Sequence, residues 1–186
     1  EGLNRYDGIM IKSYSICPQA AGKYISSLYG TKKNIWIGTD EGIYIYAYAT
    51  ETFTYFDLTT PNNVRITSIV NHILQDKDGN LWFSTNGQGL FRYNLSKNYL
   101  EQYEFTSAFG IVASTMADSD NQIWALTNQG ESGVYKLNKA ENKFEPFGLL
   151  YNAGNHHSQA LAMLEDSEQT LWLGTWECGL QKIDKY

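Results

Sequence analysis

The sequence is poor in several features that would otherwise decide its class. Of 186 residues only two are cysteine, Cys17 and Cys178, which excludes a disulfide-built scaffold and a zinc ribbon. Basic residues number 14 against 20 acidic ones, a formal net charge of -6, and nucleic-acid binders need the opposite balance. No apolar run approaches the roughly 18 residues of a membrane span, and no stretch sustains a helical period. Charged residues make up 18% and hydrophobic residues 42%, so the composition is that of a folding chain and not of a disordered one. The length allows one domain with a substantial core. What is plentiful is aromatic: five Trp, 14 Tyr and eight Phe, 15% of the chain. Such content goes with strands more than with helices.

The aromatics are periodic. Four segments align on a tryptophan, at Trp36, Trp82, Trp124 and Trp172, with spacings of 46, 42 and 48. Ile35, Leu81, Ile123 or Leu171 precedes each, and Thr39, Thr85, Thr127 or Thr175 follows three positions later. Farther on comes a glycine with an aliphatic neighbour: Gly42-Ile43, Gly89-Leu90, Gly133-Val134 and Gly179-Leu180. Within the second repeat, residues 69–75, 81–85, 90–94 and 99–105 read as strands, separated by turn chemistry such as Asp76-Lys77-Asp78-Gly79-Asn80. A unit of about 40–50 residues with four strands is a propeller blade. The fold class is therefore all-β, with four-stranded antiparallel blades, and each repeated Trp is expected to pack between blades. Pro146 falls in a fourth strand, where the outer edge of a blade tolerates a missing amide donor.

The expected division is the end of a blade over 1–16, blades over 17–60, 61–107 and 108–150, and an incomplete blade over 151–186. Glu1-Gly2-Leu3-Asn4-Arg5-Tyr6 matches Gly89-Leu90-Phe91-Arg92-Tyr93 from its glycine onward, so the opening residues read as a third strand and not as a secretion leader. About four blades are at the lower limit for a closed ring. The expectation is a segment of a longer propeller that associates with a second copy through its blade faces or edges.

The run from Asp76 to Asn94, D-x-D-G-N-L-W-F-S-T-N-x-x-G-L-F-R-Y-N, resembles the two-component regulator propeller repeat. The likeness extends over nearly the whole chain, although Lys32-Lys33-Asn34 replaces the Asp-x-Asp-Gly turn in the first repeat. Asn121 and Gln169 replace the turn glycine in the third and fourth. In that family propellers precede a β-sandwich, a membrane helix and a cytoplasmic histidine kinase. The resemblance implies the periplasmic, ligand-sensing part of a hybrid two-component system, responding to an oligosaccharide and passing the signal to a kinase outside these residues.

Propeller geometry puts the loops between fourth and first strands on the same face as those between second and third strands, and rigid scaffolds concentrate function on such loops. On that face lie residues 17–22, 61–67 and 153–158 and the loops after each repeat Thr. The residue after that Thr reads Asp40, Asn86, Asn128 and then Trp176. An indole followed by Glu177 suits a sugar ring beside a hydrogen-bonding carboxylate. Asn86, Gln88 and Asn128 add amides, and Arg65 a bidentate donor for a carboxylate or sulfate. His156 and His157 stand in the corresponding loop of the last blade. His72 occupies an inner-strand position where the other repeats align Ser26, Ser114 and Ala162.

Sharper chemistry fails on spacing. The Asp76 turn has its glycine fourth, not sixth, and Gly87 where a calcium loop needs a bidentate Glu; Lys77 stands where a sialidase Asp-box has its aspartate. Asn94-Leu95-Ser96 matches a glycosylation acceptor, which carries no weight in a bacterial sensor. Neither a cofactor nor a metal site is expected, nor a catalytic group, and Cys17 and Cys178 are expected to be free thiols. The alternatives are a free-standing propeller serving as a protein-interaction scaffold, or a carbohydrate-active lyase or hydrolase.

Overall fold

A computed structural model describes residues 2–15, 24–105, 110–127, 133–149, 160–176, 178–183 and 185. The strands are β1 (Leu3–Tyr6), β2 (Ile11–Tyr14), β3 (Ile25–Gly30), β4 (Asn34–Thr39), β5 (Gly42–Ala47), β6 (Thr52–Tyr55), β7 (Val70–Gln75), β8 (Leu81–Thr85) and β9 (Leu90–Asn94). They continue with β10 (Tyr99–Tyr103), β11 (Val112–Ala117), β12 (Ile123–Thr127), β13 (Gly133–Asn138), β14 (Lys143–Leu149), β15 (Ala160–Glu165), β16 (Leu171–Thr175) and β17 (Leu180–Ile183). Among the described residues five sheets form: β1-β2, β3-β4-β5-β6, β7-β8-β9-β10, β11-β12-β13-β14 and β15-β16-β17. Every pairing is antiparallel between strands adjacent in sequence. The first strands lie side by side, β3 against β7, β7 against β11 and β11 against β15. This is a row of propeller blades that does not close into a ring. Pro146 sits on the outer edge strand β14, opposite Tyr135 at a break in register.

Trp36, Trp82 and Trp124 pack between blades, as their periodicity predicts, whereas Trp172, on the last described sheet, is half-buried and joins none of the core clusters. Trp36 joins Phe56, Ile66, Val70, Phe83 and Phe91 in one core cluster, Trp82 joins Val112, Ile123 and Tyr135 in a second, and Trp124 joins Ala160, Leu171 and Leu173 in a third. Burying about 200 Å² per indole contributes up to about 5 kcal/mol, several times the net worth of one hydrogen bond. Burial therefore sets the strength of each joint, and polar contacts set its geometry.

The Asp-rich turns supply that geometry. Asp76 Oδ1 accepts the Asn80 amide (2.8 Å) and its Oδ2 accepts Nε1 of Trp82 (2.8 Å). Asp118 repeats this with Gln122 and Trp124, and Asp166 with Thr170 and Trp172. The carboxylates are thus engaged by turn amides and indoles, which explains them without a cation. The first full blade departs: Gly30 stands at the aspartate position, Thr31 Oγ1 takes over the turn by accepting the Asn34 amide (3.0 Å), and Trp36 Nε1, buried, has no partner.

A second regularity lies in the innermost strands. Register passes from Ile25↔Thr39 to Ser27↔Gly38, from Val70↔Thr85 to His72↔Ser84, from Val112↔Thr127 to Ser114↔Leu126 and from Ala160↔Thr175 to Ala162↔Gly174. Each strand therefore carries one extra residue at the same place: Ser26, Asn71, Ala113 and Leu161. This corrects one alignment made from sequence. The equivalent of His72 in the first full blade is Ser27, because Ser26 is the bulged residue and matches Asn71.

Candidate functional site

The loop face is built on the repeat threonines. Thr85 is fully buried; its Oγ1 donates to the Gly89 carbonyl (2.7 Å) and accepts the Gln88 amide (3.1 Å). Thr39, Thr127 and Thr175 tie their own loops in the same way, through Gly42, Gly133 and Gly179. A hydroxyl serves here because it donates and accepts at once. Asn86 and Trp176, which follow two of these threonines, are exposed on an anchored base.

Asn86 is exposed, and its backbone amide bonds the Ile69 carbonyl (2.9 Å). Gln88 reaches sideways: Oε1 accepts the amides of Thr67 and Ser68 (both 2.9 Å), and Nε2 donates to the Arg65 carbonyl (2.9 Å). Its amide shapes the loop that presents Arg65. Arg65 Nε pairs with Asp57 Oδ1 at 2.7 Å while the Arg65 side chain stays 46% exposed. Such a pair adds little stability but holds the guanidinium in place. The structure brings Arg65, Gln88 and Asn86 together on adjacent loops. Trp176 follows Thr175 on the last sheet, two blades along, and is 71% exposed.

His72 is half-buried on β7. Its Nδ1 faces the Thr115 amide of the next blade at 3.5 Å, which leaves the proton on Nε2. Burial pushes its pKa below the ordinary histidine value, and an Nδ1 that accepts an amide belongs to the neutral ring. Asn71 beside it donates to the Val112 carbonyl (2.8 Å).

Asn128, His156, His157 and Glu177 lie outside the described residues, as does Cys17. Cys178 is a half-buried free thiol. Among the described residues no group of three or more His, Cys, Asp or Glu could hold a metal ion, and no helix is long and apolar enough to cross a membrane.

Sequence reasoning missed three contributors to this face. The Tyr55 hydroxyl lies 3.1 Å from the carbonyls of both Glu41 and Ile66, fastening one blade's loop to the next. Asp40 Oδ1 and Ser68 Oγ are buried without a partner. Tyr55 is one of 14 tyrosines, and nothing in its local pattern marks it out. The Asp40 signal was visible as the one carboxylate in the position after the repeat Thr.

Residues 63–87 match a family model, the two component regulator propeller. The match is to a single repeat of that regulator propeller. That regulator repeat spans the Arg65 loop, strand β7 with His72, the Asp76 turn, strand β8 and Asn86. Compared with curated proteins by sequence, the chain finds no match. Among solved structures it is similar to the extracellular domain of a proposed hybrid two-component system of B. thetaiotaomicron. That likeness has 21% identity and a TM-score of 0.76, over 100% of this chain and 26% of that one. The extracellular domain of a proposed one-component system from the same organism is alike at 21% identity and a TM-score of 0.75, over 100% and 25%. A catalytically inactive virginiamycin B lyase of Staphylococcus aureus, solved with quinupristin, follows at 16% identity and a TM-score of 0.63, over 87% and 56%. Identities this low establish the propeller fold and no more. The chain spans about a quarter of the length of the two extracellular domains.

Proposed function

We propose that this chain is the ligand-sensing propeller segment of an extracytoplasmic, periplasmic receptor in a hybrid two-component system. Its loop face takes an oligosaccharide, and the signal passes to a kinase outside these residues. The observation that carries the reading is the regulator propeller repeat at residues 63–87. The likeness to extracellular domains of bacterial sensors supports it. The chemistry of the face agrees: an exposed indole at Trp176, the guanidinium of Arg65 and the amide of Asn86 suit a ligand rich in hydroxyls with an occasional carboxylate.

The test is calorimetric titration of the intact protein with a panel of neutral and acidic oligosaccharides. One class is expected to bind, with Trp176→Ala weakening it about tenfold, or about 1.4 kcal/mol. A panel in which nothing binds would overturn the oligosaccharide reading. Binding that Trp176→Ala leaves untouched would move the site off this face.

A further inference from the structure

The joints between blades are not equivalent. At the Trp82 joint, between the β7–β10 and β11–β14 sheets, the outer half is a polar network. Arg92 pairs with Glu101 across β9 and β10 (2.5 Å), and the Tyr103 hydroxyl lies 2.8 Å from Asn142 Oδ1 of the next blade. Asn142 Nδ2 returns a bond to Glu101 Oε1 (2.6 Å). The hairpin turns are tied too: the Lys77 amide to Asn121 Oδ1 (2.9 Å), and Asn121 Nδ2 to Asp78 Oδ2 (2.8 Å). The next pair of sheets is strapped by Ser119, whose amide and hydroxyl both bond Glu165 (2.5 and 2.8 Å), and by buried Lys185 between Glu165 and Asp118.

The Trp36 joint, between the β3–β6 and β7–β10 sheets, has lost each of these parts at once. Register places Ile45 where Arg92 stands, Thr54 where Glu101 stands, Phe56 for Tyr103 and Gly30 for Asp76. Asn98, the counterpart of Asn142, is taken by Tyr93 of its own blade (2.9 Å). Among the described residues no hydrogen bond links the 31–34 turn to the 76–80 turn. A groove of about 480 Å³ opens at this joint, lined by Trp36, Ile45, Phe56, Tyr93 and Leu95, where the Trp82 joint leaves about 160 Å³. Hydrogen bonds across this joint sit at its inner and loop-side end: Ser26 and Ser27 Oγ to the Val70 carbonyl (2.8 and 2.6 Å), and Tyr55 beside the Ile66 carbonyl. Three buried polar atoms of the flanking sheets and loops, Trp36 Nε1, Asp40 Oδ1 and Ser68 Oγ, have no partner.

We infer that the Trp36 joint is where this segment flexes. The β3–β6 blade turns about the Ser26, Ser27 and Val70 pivot, and its outer half slides over Tyr93 and Leu95. The β7–β10, β11–β14 and β15–β17 blades move as one strapped body. Apolar contacts are non-directional and survive sliding, whereas each bond of the Trp82 network is lost once its atoms part. Movement also wets the unpartnered atoms, whose burial is unfavourable in the closed arrangement.

Paired spin labels on the exposed outer turns test this in the intact protein, with Cys17 and Cys178 replaced by Ser. Ala49→Cys with Ser96→Cys spans the Trp36 joint, and Ser96→Cys with Ala140→Cys spans the Trp82 joint. The first distance distribution is expected to be about twice as broad as the second; equal widths would overturn the inference. Thr54→Glu with Phe56→Tyr is expected to narrow the first. Asn142→Ala is expected to broaden the second, and this arm stands even where the double replacement does not fold. A second distribution that stays narrow after Asn142→Ala would also overturn the inference, because the straps would then not be what distinguishes the joints.

Discussion

Trp82 and Asp76 form a clasp: the indole Nε1 donates to one carboxylate oxygen at 2.8 Å while the other oxygen accepts the Asn80 amide at 2.8 Å. One side chain thereby closes a hairpin turn and aims a ring into the neighbouring blade. Asp76 is 7% exposed and Trp82 is 1% exposed, so water cannot substitute for either partner.

Removing the acceptor should therefore be expensive. Asp76→Ala is expected to lower unfolding free energy by about 2–3 kcal/mol, since it orphans a buried indole N–H and a turn amide together. Asp76→Asn keeps an acceptor and should lose less. Denaturant melts of the two variants measure this, and a loss below about 0.5 kcal/mol for the alanine form would show that the clasp is passive.

Gly30 offers the converse experiment. A Cβ built there meets only the Tyr48 hydroxyl, at 3.8 Å, and the backbone is not left-handed. Gly30→Asp should hand Trp36 Nε1 the partner it lacks and raise stability by about 1 kcal/mol. Tryptophan emission and a thermal melt report it; an unchanged or lower midpoint would mean the side chain does not reach.

The fourth repeat holds a strained turn. Gln169 has φ 62, where Gly79 occupies the same place in the second repeat with φ 82. Left-handed backbone costs a residue with a side chain about 1–2 kcal/mol, partly offset by the freedom glycine has in the unfolded chain. Gln169→Gly is expected to gain about 0.5–1 kcal/mol, and a destabilised variant in the same melt would refute the assignment of strain.

Acid should loosen the last joint. Burial pushes the Asp118 carboxyl up, but the Trp124 N–H, the amides of Gln122 and Asp120 and the Lys185 ammonium outweigh it, and the native pKa lies below the ordinary 3.8. A depressed native value means stability that is complete above the unfolded pKa and lost as pH falls through the native one. The melting midpoint should thus decline below about pH 4. Asp118→Asn should start lower and show a flatter decline, and an identical slope in the variant would assign the acid sensitivity elsewhere.

The blade architecture was readable because one bulky residue recurs in register with a Thr and a Gly, and those positions turn out to be the joint and the loop anchor. The bulge in each innermost strand was not readable. Inserting one residue shifts no hydrophobic period when Ser26-Ser27, Asn71-His72, Ala113-Ser114 and Leu161-Ala162 carry no common chemistry. Gln88 was singled out as a polar loop residue, but its bonds to Thr67, Ser68 and Arg65 run between loops 20–23 residues apart, a relation that only the folded register creates. The Asp-to-Trp spacing of six was present at Asp76, Asp118 and Asp166, yet the two faces of one carboxylate are visible only in three dimensions.

Thr39, Thr85, Thr127 and Thr175 hold their loops from behind, through backbone atoms alone. An exposed neighbour can consequently be exchanged without disturbing the scaffold, and Asn86 and Trp176 are two such exchanges within a single chain. A lineage using this frame can rewrite what its loop face meets by one codon at a time, with inheritance of the fold left intact.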